Sequence, residues 1–204
     1  MMLLRTTART VLVLLIALAG PTSWGPARAT GTSLAGQLLV ASPRMGDPRF
    51  AETVIFVVAH SDEGAMGLVV NRTYGNGPLQ RLLAGFGITT AVQPATVRLQ
   101  YGGPVETKRG FVLHSADYTG PSTTPVAGGM AFSTGRDVLQ AVADGRGPQR
   151  RLFILGYAGW GPGQLEAELA GNDWLTAPAE TGLIFSEDTE SVWQRALQRA
   201  GTPL

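Results

Sequence analysis

The sequence predicts an α+β fold in a single domain. Short apolar segments rich in β-branched residues, such as Thr53–Ala59, follow one another closely, which indicates neighbouring strands. Few segments have helical periodicity, and they do not alternate regularly with the strands, which argues against a repeated βαβ array. The 204 residues contain no internal repeat, low-complexity tract or linker, and this length suffices for one sizeable core.

The first half of the chain predicts three strands and one helix. Gln37–Ala41 is an apolar strand, and the proline-containing segment Ser42–Phe50 is the loop that follows it. Thr53–Ala59 and Ala65–Asn71 flank a polar turn and form a hairpin. Pro78–Phe86 has apolar residues at the spacing of one helical face, with proline in the first turn and glycine after the last.

The second half continues the same mixture of elements. Short apolar segments predict strands at Thr96–Tyr101, Gly110–His114, Met130–Ser133, Leu152–Leu155 and Leu183–Phe185. Apolar residues recurring every three or four positions predict helices at Arg136–Ala143 and Ser191–Ala200. The intervening segment Ala116–Gly129, rich in Gly, Pro, Ser and Thr, predicts a surface loop.

A glycine-rich segment, Gly156–Gly163, follows the strand at Leu152–Leu155. It predicts a sharply turning loop that leads into a helix carrying Glu166 and Glu168. Such a loop can hold an anion, but its spacing matches neither the GxxxxGK[ST] nor the GxGxxG motif, and the early carboxylates would repel a phosphate. We therefore interpret the loop as a structural turn that aims the helix, with at least one glycine at positive φ.

Residues 1–29 predict a secretory signal peptide. Arg5 and Arg9 precede the apolar run Thr10–Ala19, and Ala27-Arg28-Ala29 matches a small-x-small cleavage site. The run is shorter than the about 20 residues that a membrane-spanning helix needs, so we expect no stable membrane anchor after cleavage. The sequence thus predicts export to the periplasm or the medium, whereas a misassigned start codon would imply a cytoplasmic protein.

Composition and charge exclude several classes of function. The chain contains no cysteine, which excludes disulfides, thiol nucleophiles and zinc–thiolate sites. Loss of the leader, with its three arginines and no acidic residue, changes the formal net charge from +1 to −2. Arg146, Arg150 and Arg151 form one small basic cluster, which we interpret as part of a solvated loop. We therefore expect no nucleic-acid partner.

The two histidines, His60 and His114, are the strongest candidates for catalysis or metal binding. Each follows a predicted strand, so both are expected at one sheet edge, and convergence on one pocket would indicate a hydrolase. However, neither HxxxH nor HxH spacing occurs, and no serine lies in a GxSxG motif. We expect both to be satisfied by backbone hydrogen bonds, and the sequence predicts no catalytic residue, metal site or cofactor. The acidic residues that could act together with these two histidines are Asp47, Asp62, Glu63 and Glu106.

Four ordered blocks of sequence resemble the YqgE/AlgH family, which has no settled biochemical activity. These blocks are Gly36–Arg72, Tyr101–Ser115, Ser133–Pro148 and Leu155–Leu175. The resemblance covers residues 34–201 and implies one α+β domain whose mixed or antiparallel sheet bends into a barrel-like core, flanked by a few helices. The family is frequently labelled as transcriptional regulators, and its members usually lack a leader.

The blocks also define a candidate family-motif surface of ten residues. These are Asp47, His60, Asn71, Gly102, Gly103, Pro104, His114, Tyr157, Trp160 and Gln164. We interpret the glycines, the Asp-Pro pair and Asn71 as residues that set backbone conformation. The favoured function is an exported, non-enzymatic binding or interaction module whose partner is an unknown protein or small ligand. The alternatives are a hydrolase that uses His60 or His114 with a carboxylate, and a transcriptional regulator.

Overall fold

The computed structural model describes residues 33–90 and 95–201, which form ten strands and five helices. The predicted leader lies outside the described residues. The strands are β1 Gln37–Ala41, β2 Val54–Ser61, β3 Gly64–Val69, β4 Thr73–Pro78, β5 Thr96–Tyr101, β6 Val105–Ser115, β7 Thr123–Val126, β8 Met130–Ser133, β9 Arg151–Trp160 and β10 Trp174–Pro178. The helices are α1 Leu79–Ala84, α2 Arg136–Ala143, α3 Gln164–Ala170, α4 Thr181–Ile184 and α5 Val192–Arg199. None of these helices has the length and apolar character needed to cross a membrane.

The strands join into one sheet that curls into a half-barrel. Its main path runs β10-β1-β2-β3-β9-β6-β8-β7, and β4 pairs with β5 beside it. Every strand pairing is antiparallel except that of β5 with β9, which is parallel. The predicted α+β class and the bent sheet implied by the family resemblance are both confirmed.

Strand β9 lies at the centre of the sheet. It pairs with β3 near its end, with β5 in its middle and with β6 along most of its length. Leu152 and Ile154 face one hydrophobic cluster, Phe153 faces a second, and Ala158 and Trp160 face a third. The alternation of strand side chains thus lets one strand connect all three clusters.

Each cluster is closed by different helices. The cluster that contains Phe56 and Leu113 is covered by α4 and α5, through Ile184 and Ala196. Helix α3 supplies Leu165 to the cluster around the two tryptophans. Helices α1 and α2 cover the cluster that contains Val112 and Phe153. The helices therefore lie on both faces of the curved sheet.

The predictions are wrong for two segments in the second half. Thr123–Val126 forms β7 inside the segment predicted as a loop, because it pairs with β8 at the end of the sheet, where a strand tolerates proline. The predicted strand at Leu183–Phe185 is the end of the short helix α4. Its apolar residues are buried without strand pairing, so their hydrophobicity alone did not identify the element.

The glycine-rich segment is also shorter as a loop than predicted. Strand β9 continues through Gly156 and Gly159 to Trp160, so the connection to α3 consists only of residues 161–163. The expectation of a positive φ is confirmed, since φ is 76° at Gly156 and 70° at Gly163. Gly163 is the N-cap of α3, and its left-handed conformation sets the direction of that helix.

Candidate functional site

The ten candidate residues lie in separate parts of the fold. One group surrounds the loop between β1 and β2. There the Asp47 carboxylate pairs with Arg49 at 2.6 Å, and this hydrogen-bonded contact lowers the pKa of Asp47. The Asn71 side chain accepts from the Val54 N–H at 2.8 Å and donates to the Glu52 carbonyl at 2.9 Å. Asp47 therefore braces the loop internally, and Asn71 fixes the loop to the segment that follows β3.

The glycines before β6 let two backbone segments approach closely. Gly102 donates its N–H to the Leu155 carbonyl at 2.8 Å and accepts from the Val69 N–H at 3.0 Å. A Cβ at Gly103 would lie 2.2 Å from the carbonyl carbon of Tyr157, closer than two such atoms can pack. Pro104 then leads into β6. These residues position strands, as predicted, and present no reactive group.

His60 is held in one tautomer by two partners. Its Nδ1 accepts from the Leu34 N–H at 3.0 Å, so Nε2 carries the ring proton and donates to the Glu166 carboxylate at 2.6 Å. The pKa of Glu166 is lowered, first by its own backbone N–H at the start of α3 and then by His60. His60 thus links the chain before β1 to α3 and has a carboxylate partner as well as the expected backbone bond.

Trp160 and Gln164 belong to a clamp centred on Glu168, which sequence reasoning did not select. The indole N–H groups of Trp160 and Trp174 both donate to one Glu168 oxygen, at 2.8 and 2.9 Å. Gln164 donates to the other oxygen at 2.9 Å and accepts from the Gly161 N–H at 3.1 Å. Because every member has a partner, the clamp fixes α3 against the sheet and stabilises the turn before it.

His114 lies in a different, largely buried hydrogen-bonded chain. Its Nδ1–H donates to the Ser115 carbonyl at 2.8 Å, and its Nε2 accepts from the Ser133 hydroxyl at 3.0 Å. Ser133 in turn accepts from Thr123 at 2.9 Å. Burial lowers the pKa of His114. Both His114 and Ser133 have no exposed surface, so this histidine–serine contact is closed to substrate.

The two histidines do not share a sheet edge, so that expectation is wrong. His60 pairs with Ala65, which is next to Trp160 at the end of β9. His114 pairs with Arg151 at the start of β9. Nine residue steps at ~3.3 Å each separate them by about 30 Å along the strand. They cannot act on one substrate, and the described residues contain no group of three His, Asp or Glu suited to a metal ion.

A pocket between α1, α2 and the sheet is the feature best suited to hold a ligand. It has a volume of ≈ 210 Å³ and is walled mainly by apolar side chains. Phe86, which is 48 % exposed, lies at its mouth. Among the lining residues there is no His, Asp or Glu, and the only charged ones are Arg109 and Arg136. The apolar walls are formed by Leu82, Leu99, Val112, Leu139 and Phe153.

None of the ten predicted surface residues lines this pocket. Sequence reasoning selected glycine, histidine and other motif residues, whereas the pocket is lined by Leu and Phe residues that cannot be distinguished in the sequence from ordinary core residues. The helical spacing of Leu79, Leu82, Leu83 and Phe86 was one usable signal, because it extends past the residues that α1 buries fully.

The small arginine cluster is partly engaged in structure. Arg151 is half-buried and donates to the Pro148 carbonyl at 2.7 Å, and its burial lowers its pKa. Arg146 pairs with Asp144 at 2.7 Å. Arg150 is exposed. The cluster thus presents fewer free cations than its sequence indicates.

Comparison with known proteins identifies the family. A family model described as AlgH-like matches residues 38–204. The chain belongs to the AlgH-like family. It is 54 % identical over 169 residues to a UPF0301 protein of Methylococcus capsulatus, covering 83 % of this chain and 92 % of that protein. A UPF0301 protein of Rhodospirillum rubrum is 48 % identical over 168 residues, which cover 82 % of this chain and 88 % of that protein.

Solved structures of this fold agree with the architecture. The solution structure of the AlgH protein from Pseudomonas aeruginosa has a TM-score of 0.71 and 42 % identity, covering 86 % of this chain and 93 % of that chain. A crystal structure of a Corynebacterium diphtheriae protein has a TM-score of 0.64 at 22 % identity, covering 87 % of this chain and 91 % of that one. The second likeness concerns the fold alone.

Proposed function

We propose that this AlgH-like protein is an exported, non-enzymatic binding module that holds a small ligand with an apolar body in the pocket between α1 and α2. The observation that carries the proposal is the lining of the pocket. It combines apolar walls with a few polar groups, the usual composition of a ligand site. The lining lacks the His, Asp or Glu that acid–base catalysis would need.

The histidine chemistry favours binding over hydrolysis. His60 and His114 are engaged at opposite ends of β9, and the Ser133 hydroxyl that contacts His114 is fully buried. A serine nucleophile must be reachable by the carbonyl that it attacks. We therefore expect no esterase activity, and any activity on p-nitrophenyl esters should be identical in Ser133→Ala. A loss of turnover in that variant would favour the hydrolase alternative.

The binding function is tested by NMR titration with a neutral apolar probe. Benzyl alcohol should shift the methyl signals of Leu82, Leu99 and Leu139, which line the pocket. The methyl signals of Leu38 and Leu113, which have no exposed surface, are the internal controls. Equal shifts at all five leucines, or none at all, would contradict binding in this pocket.

Export is tested by fractionation of the native host followed by N-terminal sequencing. The proposal rests on the order of charge, apolar run and Ala-x-Ala site in residues 1–29. We expect the mature protein to begin at Thr30 and to appear outside the cytoplasm. Recovery of a cytoplasmic protein that retains Met1 would overturn export and leave the binding proposal unaffected.

A further inference from the structure

The pocket that holds the proposed ligand carries an unbalanced positive charge at its mouth. We propose that its ligand is a small carboxylate whose apolar body is about the size of one aromatic ring, with Arg136 pairing with the carboxylate. This inference rests on the binding function proposed above and specifies the class of ligand.

The volume of the pocket sets the size of the apolar body. At ≈ 210 Å³ the pocket is somewhat larger than an apolar cavity of about 150 Å³ that admits benzene. One aromatic ring with a short substituent, or a branched chain of similar volume, fits that space. Leu82, Leu139 and Phe153 offer such a group a surface without polar atoms. A small ion such as acetate would leave most of this apolar surface in contact with water, so its burial would add little binding free energy.

Arg136 supplies the charge that selects an anion. Its Nη2 donates to the Gly87 carbonyl at 2.8 Å, which holds the guanidinium between α2 and the end of α1. A carbonyl is neutral, and within residues 33–90 and 95–201 Arg136 makes no ion pair. A guanidinium has five N–H donors, so most of them stay available to a carboxylate, which they match in geometry.

Nearby acidic groups are engaged elsewhere. Glu106 pairs with Arg109 at 3.0 Å, which cancels much of the charge of that second arginine. The Asp137 carboxylate accepts from the Ser122 N–H at 3.2 Å, away from the pocket lining, and offsets the positive end of α2. Arg109 also lies 5.3 Å from the centre of the Phe111 ring. Arg136 therefore carries the preference for an anion, with Arg109 in a secondary role.

The test compares two probes of nearly equal shape, phenylacetate and phenylacetamide, by NMR titration of the full chain. Phenylacetate should bind about fivefold more tightly, the value expected for one partly exposed charged hydrogen bond. Its advantage should shrink in high salt, because exposed charges are screened. Acetate should bind more weakly than phenylacetate.

Three variants separate the role of the charge from that of the pocket. Arg136→Gln should remove the preference for phenylacetate, whereas Arg136→Lys should keep part of it. Arg81→Gln, an exposed arginine on α1 outside the pocket lining, is the matched control and should bind like the parent protein. Gly110→Leu should block both probes, because a Cβ there meets only the Phe86 ring, at 3.9 Å, and extends the side chain into the pocket.

The outcomes distinguish this inference from the proposed function. Equal binding of both probes to the parent and Arg136→Gln proteins would overturn the carboxylate inference and leave the binding function standing. If neither probe shifts the signals of the pocket leucines, the binding function falls together with the inference. An effect of Arg81→Gln as large as that of Arg136→Gln would show that net charge, and not Arg136, selects the anion, and would also overturn the inference.

Discussion

Replacement of Gly103 by alanine should destabilise the protein more than replacement of any exposed glycine. The φ of Gly103 is +148°, a backbone conformation that L-residues rarely adopt. A Cβ built there lies 2.2 Å from the carbonyl carbon of Tyr157 and 2.3 Å from its oxygen. The obstacle is the backbone of β9, paired on both sides, so it cannot move as a flexible side chain would.

The magnitude follows from two additive terms. A strained backbone conformation costs about 1–3 kcal/mol, and forcing extra volume into a packed region costs about 1–3 kcal/mol. We therefore expect Gly103→Ala to lower the free energy of unfolding by about 2–6 kcal/mol. For a domain of this size that corresponds to a decrease in Tm of about 4–24 °C.

Two control variants separate these terms. Gly163 has a φ of +70° but nothing within 4 Å of its Cβ position, so Gly163→Ala should cost only the backbone term, about 1 kcal/mol. Gly182, in α4, has neither feature, and Gly182→Ala should be neutral or slightly stabilising. Urea denaturation followed by circular dichroism measures all three.

The close approach of backbones is refuted if Gly103→Ala unfolds at the same urea concentration as Gly182→Ala. If Gly103→Ala unfolds at the same urea concentration as Gly163→Ala, the steric term is absent and only the backbone conformation contributes.

Gly159 and Gly161 do not have positive φ. A Cβ at Gly161 meets only the Gln164 side chain, at 4.0 Å, so Gly161→Val should lower the free energy of unfolding only slightly.

Three further perturbations test the hydrogen-bonded groups and the surface charge. Glu168→Ala should lower the free energy of unfolding by about 3 kcal/mol, because two buried indole N–H groups lose their acceptor. The Glu166 side chain is 54 % exposed, so Glu166→Ala should lower it by under about 1 kcal/mol in the same urea titration. Equal losses in the two variants would contradict the role of the clamp. Burial lowers the pKa of His114 below its unfolded value of 6.5, so below pH 6.5 the unfolded chain binds a proton that the folded protein does not. The free energy of unfolding should therefore be unaffected above pH 6.5 and should fall below it, by at most about 1.4 kcal/mol per pH unit. His114→Gln should have a shallower decline when thermal unfolding is followed from pH 7 to 5, and parallel curves would refute this. Fluorescence anisotropy should detect no submicromolar, salt-sensitive binding of the mature protein to duplex DNA, because its charge of −2 gives little counterion release.

Sequence patterns predicted best the elements that carry a regular run or spacing of apolar residues. Gln37–Ala41, Thr96–Tyr101, Met130–Ser133 and Arg136–Ala143 have the bounds predicted for them. In these segments the periodicity of apolar residues records which side faces a core. Strand β4 was not predicted, because its largely exposed sequence TYGNGP has no apolar pattern and forms a strand only by pairing with β5.

The candidate site was less predictable because its contacts join distant parts of the chain. His60 and Glu166 are 106 positions apart, and Arg136 reaches Gly87 across 49 positions. No local pattern specifies such pairs, since they depend on the order of strands in the sheet. Gly103 sets the backbone conformation as interpreted, with a positive φ, whereas Asn71 has no positive φ and acts through its side-chain hydrogen bonds. Sequence reasoning had no means of placing a pocket between α1 and α2.

The central position of β9 also has a consequence for folding kinetics. All three hydrophobic clusters take side chains from this strand, yet it lies late in the chain, after eight other strands. A nascent chain that ends before residue 151 therefore cannot complete any of its cores. Closing such distant pairings is slow compared with forming local helices. The three cores should therefore be completed together in one late step, after β9 has been synthesised.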